Sequence, residues 1–299
     1  MDITKKDIEQ ENQIIFNINH NYVAFFLTFS CNLNCDYCIN TYNMSTRRMS
    51  QHLKPSEWIR AASRLVLRDD LPLTLQGGEP TLYNGFYEIV NDVKAEIKMD
   101  LMTNLQFDVA EFIRKVPVER FIREAPYAPI RVSYHPSKMN LEDLIHKTLL
   151  LMDSGFRVGI YGIEHPDKKI MSKVLIAKEK CQKVGIDFRT KEFLGFYDGT
   201  LYGTYKYPDG VGNNKLKRCF CKTTELLVDP AGYIYRCHSD LYNGRTPIGH
   251  ILDKTFNMDE IDKYRQCNFF GNCNPCDLKV KTNRFQIYGH TSVSIKDIR

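Results

Sequence analysis

The chain has 299 residues and a mild net charge of +5, from 41 basic and 36 acidic residues, without the clustered basic stripes of a nucleic-acid-binding protein. No apolar run approaches the roughly 18 residues of a membrane helix, and the charged N-terminal segment lacks the apolar core of a secretion signal. We therefore expect a cytoplasmic protein with no membrane or nucleic-acid partner, whose ten cysteines are metal ligands rather than disulfides.

Apolar runs typical of strands alternate with stretches of helical periodicity from residue 22 to about residue 190. Six strands are predicted at 22–29, 71–76, 101–104, 130–134, 156–163 and 186–189. Helices are predicted at 55–67, 85–98, 109–115, 141–154 and 170–184. This alternation indicates a parallel sheet with right-handed crossovers, which binds ligands at the carboxyl ends of its strands.

Three cysteines with the spacing C-x3-C-x2-C directly follow the first predicted strand: Cys31, Cys35 and Cys38. Three cysteine ligands are one fewer than usual, since a closed zinc site and the usual ferredoxin cluster each take four. A cubane cluster held by three thiolates leaves one iron free to bind a molecule that reacts. The alternatives are a fragment of a zinc ribbon and a chance grouping.

The second predicted strand ends in a Gly-Gly-Glu-Pro stretch, Gly77 to Pro80. Gly77 and Gly78 allow backbone carbonyls to approach a ligand closely, and Glu79 offers an anionic acceptor for a cation. Taken alone, these residues would be interpreted as a turn. Their position directly after a strand, soon after the triad, favours a ligand site.

The triad, with Tyr37 before its last cysteine, and the Gly-Gly-Glu-Pro stretch together resemble the radical S-adenosylmethionine (SAM) superfamily. The resemblance implies a [4Fe–4S] cluster on the three cysteines, with SAM chelated by its open iron and the SAM amino group held by the stretch at 77–80. It also implies an α/β fold, a partial (β/α)6 TIM-like barrel over residues 1–194. Members of this family cleave SAM to a 5′-deoxyadenosyl radical, with an electron from a donor such as flavodoxin or ferredoxin.

Further candidates for the SAM site follow from the other strand ends. Asn104 ends the third strand, and Ser133 and His135 close the fourth, where family members commonly have a polar residue near SAM. Glu164 ends a strand that partly resembles the family's G-x-I-x-G-x-x-E motif, and Arg189 ends the sixth. An ordinary loop histidine and a surface charge are the alternatives for His135 and Arg189.

Six cysteines follow residue 195: Cys219, Cys221, Cys237, Cys267, Cys273 and Cys276. Residues 226–235 predict a β-hairpin, which brings the cysteines at its two ends together. The spacing of Gly232 and Cys237 resembles the cluster-binding extension called SPASM in its full form and Twitch in its shorter form, here residues 195–299 with their linker. The resemblance implies one auxiliary [4Fe–4S] cluster, with the expected ligands Cys219, Cys237, Cys273 and Cys276.

Two cysteines remain outside this ligand set. Cys221 competes with Cys219 for the first position. Cys267 is either a buried apolar-type cysteine or, if the enzyme is an epimerase, the hydrogen-atom donor that quenches a substrate radical. A zinc site built from four of the six cysteines is the alternative for the whole extension.

An auxiliary cluster beside a radical site offers a route for an electron. The leading hypothesis is therefore oxidation or epimerisation of a polar small molecule of the sugar or aminocyclitol type. Only about thirty residues precede Cys31, which favours a small molecule over a peptide that needs a leader-recognition domain. The alternatives are a radical SAM enzyme that modifies a ribosomal peptide or protein, and an RNA-modifying enzyme with a C-terminal zinc ribbon.

Overall fold

The computed structural model describes residues 12–41, 51–202, 217–270 and 293–297. Up to residue 202 the strands are β1 (Ile14–Ile15), β2 (Tyr22–Thr28), β3 (Leu65–Val66), β4 (Leu73–Gly77), β5 (Met99–Thr103), β6 (Ile130–Tyr134), β7 (Val158–Glu164), β8 (Asp187–Glu192), β9 (Gly195–Tyr197) and β10 (Thr200–Tyr202). The helices of this part are α1 (Pro55–Ser63), α2 (Phe86–Asp92), α3 (Val109–Lys115), α4 (Leu141–Asp153) and α5 (Lys168–Lys183).

The C-terminal part consists of short strands and short helices. Its strands are β11 (Lys217–Thr223), β12 (Glu225–Val228), β13 (Tyr233–Tyr235), β14 (Gly249–His250), β15 (Arg265–Phe270) and β16 (Val293–Asp297). Its helices are α6 (His238–Tyr242) and α7 (Met258–Ile261). Within the described ranges, none of the helices is both long and apolar enough to cross a membrane.

A nine-stranded sheet forms the centre of the fold, in the order β14-β13-β12-β2-β4-β5-β6-β7-β8. The strands β2 and β4 to β8 are parallel neighbours, and they correspond to the six predicted strands. The prediction of a mixed α/β fold around a parallel sheet is therefore confirmed. The first predicted helix ends earlier than expected, because Leu65 and Val66 leave it to pair with β1.

One face of the parallel strands is apolar and covered by the crossover helices. Fully buried side chains on this face belong to a single core that includes residues of α1 to α5: Phe25, Leu75, Leu101, Val132 and Ile160. Phe25 packs on Trp58 of α1, with ring centroids 4.7 Å apart. Burying each such side chain contributes about 1.5–3 kcal/mol, so this core holds the sheet rigid.

The opposite face is polar on β4 to β8, whereas on β2 it carries Ala24 and Phe26, which belong to a second apolar cluster. Side chains alternate along a strand, so the residues between the core positions point away from the crossover helices. We call this surface the polar face and define it by five residues: Thr74, Asp100, Arg131, Tyr161 and Arg189. The segment before β6 covers part of this face, where Arg123 pairs with Asp100 and the Tyr127 ring lies 5.1 Å from the Arg131 guanidinium.

The predicted hairpin is present and joins the central sheet. Leu227 of β12 lies opposite Tyr235 of β13, and Leu226 pairs in parallel with Val23 of β2. The sequence analysis did not predict this second pairing, because contacts between distant segments leave no local periodicity to read. The division of the chain at residues 194 and 195 stays a prediction.

Arg64 connects the first helix to the C-terminal part. Its guanidinium donates hydrogen bonds of 2.8 Å to the backbone carbonyls of Ile251, Asp253 and Phe256. The residue is 2% exposed, and a buried charge is costly unless its donors are paired. These bonds hold the end of the first helix against the C-terminal segment.

Candidate functional site

The loop that carries the first three cysteines begins where β2 ends. We call residues 31–38 the triad loop. Cys31 is exposed, Cys38 is half-buried and Cys35 is buried. The backbone N–H of Leu33 donates to the Cys31 sulfur at 3.4 Å, and the N–H of Cys38 donates to the Cys35 carbonyl at 3.1 Å. The loop therefore turns back on itself and leaves the Cys31 side open.

The thiols of the triad loop suit a cationic centre. Burial raises the pKa of Cys31 and raises the pKa of Cys35 to about 12. A bound metal reverses such shifts, because coordination deprotonates a thiol outright. Three thiols on one short loop, with one of them exposed, thus fit a [4Fe–4S] cluster with one open iron.

The two glycines at the end of β4 allow close packing against the end of β2 and the residues that lead into the triad loop. A Cβ atom at Gly77 would lie 2.0 Å from the Thr28 carbonyl oxygen, and one at Gly78 would lie 2.1 Å from the Ser30 carbonyl oxygen. The N–H of Gly78 donates to the Thr28 carbonyl at 2.7 Å. Only glycine fits here, and the reason is contact between two strand ends in addition to the expected approach of a ligand.

Glu79 is a buried brace between neighbouring strand ends. Its carboxylate accepts hydrogen bonds from the Thr103 hydroxyl at 2.9 Å, the Asn104 N–H at 2.7 Å and the Thr81 hydroxyl at 2.7 Å. Burial raises the pKa of Glu79, although these bonds oppose the shift. The sequence analysis expected a free acceptor for a cation, whereas most of the acceptor capacity of this carboxylate is used within the protein.

Asn104 joins the triad loop to Glu79. Its side-chain amide donates to the Cys31 sulfur at 3.5 Å and to the side-chain oxygen Oδ1 of Asn32 at 2.7 Å. Its backbone N–H binds Glu79, as described above. The residues predicted from three separate strand ends thus meet in one place.

An aromatic cluster lies beside the last cysteine of the triad loop. The Tyr37 hydroxyl and Nδ1 of His135 are 3.1 Å apart, and the Tyr37 ring lies 5.1 Å from His165 and 5.7 Å from Phe193. Burial lowers the pKa of His135 to about 4, so the imidazole is neutral at pH 7. The sequence analysis missed His165 and Phe193, although each follows a strand end as His135 does.

Three other predicted residues lie apart from these contacts. The Glu164 carboxylate accepts from the Thr190 hydroxyl at 2.7 Å. Arg189 binds Asp187 at 2.8 Å. Ser133 is half-buried on the same side of the sheet as Arg131.

A second group of cysteines lies on two paired strands of the C-terminal part. Cys219 and Cys221 lie two residues apart on β11 and so share one face of the strand. Cys267 of β15 lies directly opposite Cys219. The three sulfurs lie within 4.8 Å of one another, and all three side chains are buried. We call them the thiol trio. A hydrogen bond from the Cys221 thiol lowers the pKa of Cys267 to about 6, and the Arg236 guanidinium adds to this shift.

The thiol trio differs from the ligand set that the sequence analysis expected. It includes Cys221 and Cys267, which were left outside that set. Cys237 caps α6, where its sulfur accepts from the Asp240 N–H at 3.4 Å. Cys273 and Cys276 lie outside the described residues. The C-x-C spacing on a strand was the available signal, because residues two apart share one face.

Comparison with known proteins finds a family for part of the chain. The family model described as "Radical SAM superfamily" matches residues 25–123. A stretch of 97 residues is 32% identical to Molybdenum cofactor biosynthesis protein 1 of Drosophila melanogaster, and it covers 29% of this chain and 17% of that protein. A stretch of 64 residues is 36% identical to the sporulation killing factor maturation protein SkfB of Bacillus subtilis (strain 168), covering 21% and 15%.

These matches span less than a fifth of the length of either relative. Among solved structures, native anSMEcpe with bound AdoMet and Kp18Cys peptide has a TM-score of 0.56, and the match covers 84% of this chain and 87% of that chain at 13% identity. Such a low identity shows likeness of fold alone. The likeness to the radical SAM superfamily, whose cofactors are a [4Fe–4S] cluster and SAM, thus covers residues 25–123.

Proposed function

We propose that this protein is a radical SAM enzyme, that it carries a second metal centre and that it modifies a peptide. The observation that carries the proposal is the meeting of Cys31, Glu79 and Asn104 at adjacent strand ends. When bound, the cofactors would supply a 5′-deoxyadenosyl radical that removes a hydrogen atom from the substrate. An electron donor such as flavodoxin or ferredoxin is part of the proposal.

The residues of the chain have separate tasks in this scheme. The three cysteines of the triad loop would hold the cluster, and Cys31 is the exposed one of the three. Glu79 and Asn104 fix the distance between that loop and the carbonyls of Gly77 and Gly78. The neutral His135 orients the Tyr37 ring, next to Cys38 in the sequence, through their 3.1 Å contact. All of these groups act by binding and orientation.

The thiol trio supports the second metal centre. Three buried thiols without a disulfide bond are well suited to a metal, because thiolates are strong ligands for both iron–sulfur clusters and zinc. We propose Cys219, Cys221 and Cys267 as ligands of an auxiliary [4Fe–4S] cluster. In this assignment Cys267 is a ligand and not a hydrogen-atom donor.

A peptide substrate is favoured by two of the comparisons. SkfB is a maturation protein by name, and the similar anSMEcpe structure contains a bound peptide. Neither comparison supports the sugar or aminocyclitol substrate that the sequence analysis placed first. Oxidation, epimerisation and bond formation all begin with the same hydrogen abstraction.

Anaerobic reconstitution tests the proposal. The two-cluster assignment predicts about eight irons per chain, whereas a zinc extension predicts about four irons with one zinc. Addition of SAM and dithionite should yield 5′-deoxyadenosine, measured by chromatography. If reconstituted protein forms no 5′-deoxyadenosine, or if Cys31→Ala forms as much as the wild type, the enzymatic proposal is wrong.

A further inference from the structure

The small sheet that carries the thiol trio has a second face. Its strand order is β15-β11-β16, and side chains alternate between the two faces, one of which carries the thiol trio. Phe220 of β11 lies between Gln266 of β15 and Lys296 of β16, on the opposite face. We call this opposite side the outer face and define it by six residues: Arg218, Phe220, Lys222, Tyr264, Gln266 and Lys296.

The outer face is open to solvent. Arg218, Gln266 and Lys296 are exposed, while the aromatic residues Phe220 and Tyr264 are 39% and 36% exposed. Both aromatic residues lie beside Lys296, Phe220 by strand register and Tyr264 with its ring centre 4.1 Å from the ammonium. Aromatic and basic side chains together are typical of surfaces that bind another protein.

The charge of the outer face is positive. Lys222 and Lys296 both approach the Tyr264 ring, with ammonium nitrogens 5.8 Å and 4.1 Å from its centre. The Asp262 carboxylate meets Lys222 at 3.2 Å. Arg218 and Lys296 form no ion pair with any residue that the structure describes. Their charges are therefore available to a partner.

The carboxylates beside the outer face do not cancel this charge. Glu260 of α7 is shared by Arg265, at 3.0 Å, and Lys263. Asp262 lies 3.4 Å from the imidazole of the buried His20, in addition to its contact with Lys222. Two carboxylates thus stand among five lysines and arginines, so that the region favours an acidic partner.

Phe220 connects the outer face to the thiol trio. It is the residue between Cys219 and Cys221, so its Cα atom lies about 3.8 Å from the Cα atom of each cysteine. The two sulfurs lie on one face of the strand and the Phe220 ring on the other. A protein bound to the outer face would therefore be separated from the thiol trio by a single layer of backbone. A redox partner needs such closeness, whereas a partner of another kind does not.

We propose that the outer face is the docking surface of an acidic electron-transfer protein, with Phe220 at its centre. The inference rests on the proposed function, which assigns a second metal centre to the thiol trio and an electron donor to the enzyme. Positive charge would steer the acidic partner to the surface, and the aromatic side chains would supply the contact. A face of three short strands suits electron-transfer complexes, which bury less than about 1,200 Å² in total.

Binding of an acidic flavodoxin to the reconstituted protein tests this surface, with biolayer interferometry as the measurement. We expect the Kd to rise at least about tenfold between about 20 mM and about 300 mM sodium chloride, because salt screens exposed charges. Carbodiimide joins an ammonium to a carboxylate in direct contact. Mass spectrometry should therefore find the flavodoxin cross-linked to Lys296 or Lys222.

Variants connect the binding to the named residues. Arg218→Gln combined with Lys296→Gln should weaken flavodoxin binding about tenfold at low salt. The matched control combines Arg114→Gln on α3 with Lys173→Gln on α5, which removes one exposed arginine and one exposed lysine elsewhere and should leave the Kd unchanged. Phe220→Ala should weaken binding about tenfold or more, because an aromatic residue at the centre of the contact is lost. An iron content equal to that of the wild type will show that each variant still folds.

The proposal is overturned if flavodoxin does not bind, if the double variant at Arg218 and Lys296 binds it as the wild type does, or if the cross-links avoid both Lys222 and Lys296. A single-stranded RNA oligonucleotide is titrated in parallel. Tighter binding of the RNA than of flavodoxin at the same ionic strength would assign the outer face to nucleic acid and also overturn the proposal.

The proposed function is measured separately. Iron content and formation of 5′-deoxyadenosine with dithionite need no partner protein. Protein that has both clusters and cleaves SAM, but does not bind flavodoxin at the outer face, would refute only the docking surface. Flavodoxin binding that depends on Arg218 and Lys296, in protein that forms no 5′-deoxyadenosine, would refute only the proposed function.

Discussion

The two cysteine groups of this protein are held in opposite ways. The triad loop lies on irregular backbone after a strand, with Cys31 exposed, whereas the thiol trio lies on two paired strands with all three sulfurs buried. A loop depends on neighbouring side chains for its shape, while a pair of strands fixes its sulfurs through the backbone ladder. An open site can admit a reacting molecule, and a closed one can hold only a metal.

The largest effect should follow from losing a cysteine ligand of the triad loop. Cys35→Ser should reduce 5′-deoxyadenosine formation to background and lower the iron content by about four, since the buried Cys35 cannot be replaced by solvent. Iron analysis and chromatography measure both. Cys181→Ala, a buried cysteine of α5, is the control and should retain both iron and activity. Retained activity in Cys35→Ser would contradict the assignment of the triad loop.

Loss of a ligand from the thiol trio should affect the second metal centre and leave the triad loop working. Cys221→Ala should lower the metal content by one centre but leave SAM cleavage without substrate near the wild-type rate. The thermal unfolding midpoint should also fall, because a metal bound only to the folded state stabilises it. Metal analysis with scanning calorimetry gives both values. A full complement of metal in Cys221→Ala would exclude this residue as a ligand.

A smaller effect is expected from substitution of Glu79, which is connected to the triad loop through Asn104. Glu79→Gln would place an amide N–H₂ among donors that now face a carboxylate, at a cost of about 1–3 kcal/mol. We expect SAM affinity to fall about tenfold or more, measured by equilibrium binding. The exposed Glu88→Gln on α2 carries the same change of charge and should bind SAM normally. Equal SAM affinities in the two variants would show that SAM binding does not need the Glu79 carboxylate.

The smallest expected effect concerns pH. Burial lowers the pKa of His135 to about 4, below the usual value of 6.5. The unfolded chain therefore binds more protons than the folded protein between these values, and stability must fall as the pH falls from 6.5 towards 4. Urea unfolding near pH 7 and near pH 5 measures the loss, which His135→Gln should reduce. An identical pH dependence in that variant would assign the loss to other groups.

The parallel sheet and the triad loop were predictable because their signals are local. Alternating periodicity identified β2 and β4 to β8, and the end of each strand pointed to residues such as Asn104. The thiol trio could not be assembled from the sequence, because the pairing of β11 with β15 joins segments far apart in sequence. The resemblance placed Cys237 rather than Cys267 in the expected ligand set, which stays a prediction, whereas strand register brings Cys267 opposite Cys219.

The role of Glu79 was also beyond the sequence. A glutamate after two glycines indicates an acceptor, but only the structure reveals that Thr81, Thr103 and Asn104 already donate to it. The polar face was foreseeable in part, since strand alternation separates Arg131 from Val132. The pairing of Asp100 on this face with a second arginine, Arg123, was not foreseeable, because Arg123 reaches Asp100 from a loop.

The pairing of β12 with β2 has a consequence for the order of events during synthesis. Leu226 lies beside Val23, about two hundred residues earlier in the chain, so this contact raises the contact order of the fold. Until β12 emerges from the ribosome, one edge of β2 remains unpaired while the rest of the sheet can already form. An unpaired edge strand is a known route to aggregation. Nascent chains of this protein are therefore exposed to aggregation until β12 has been synthesised, late in translation.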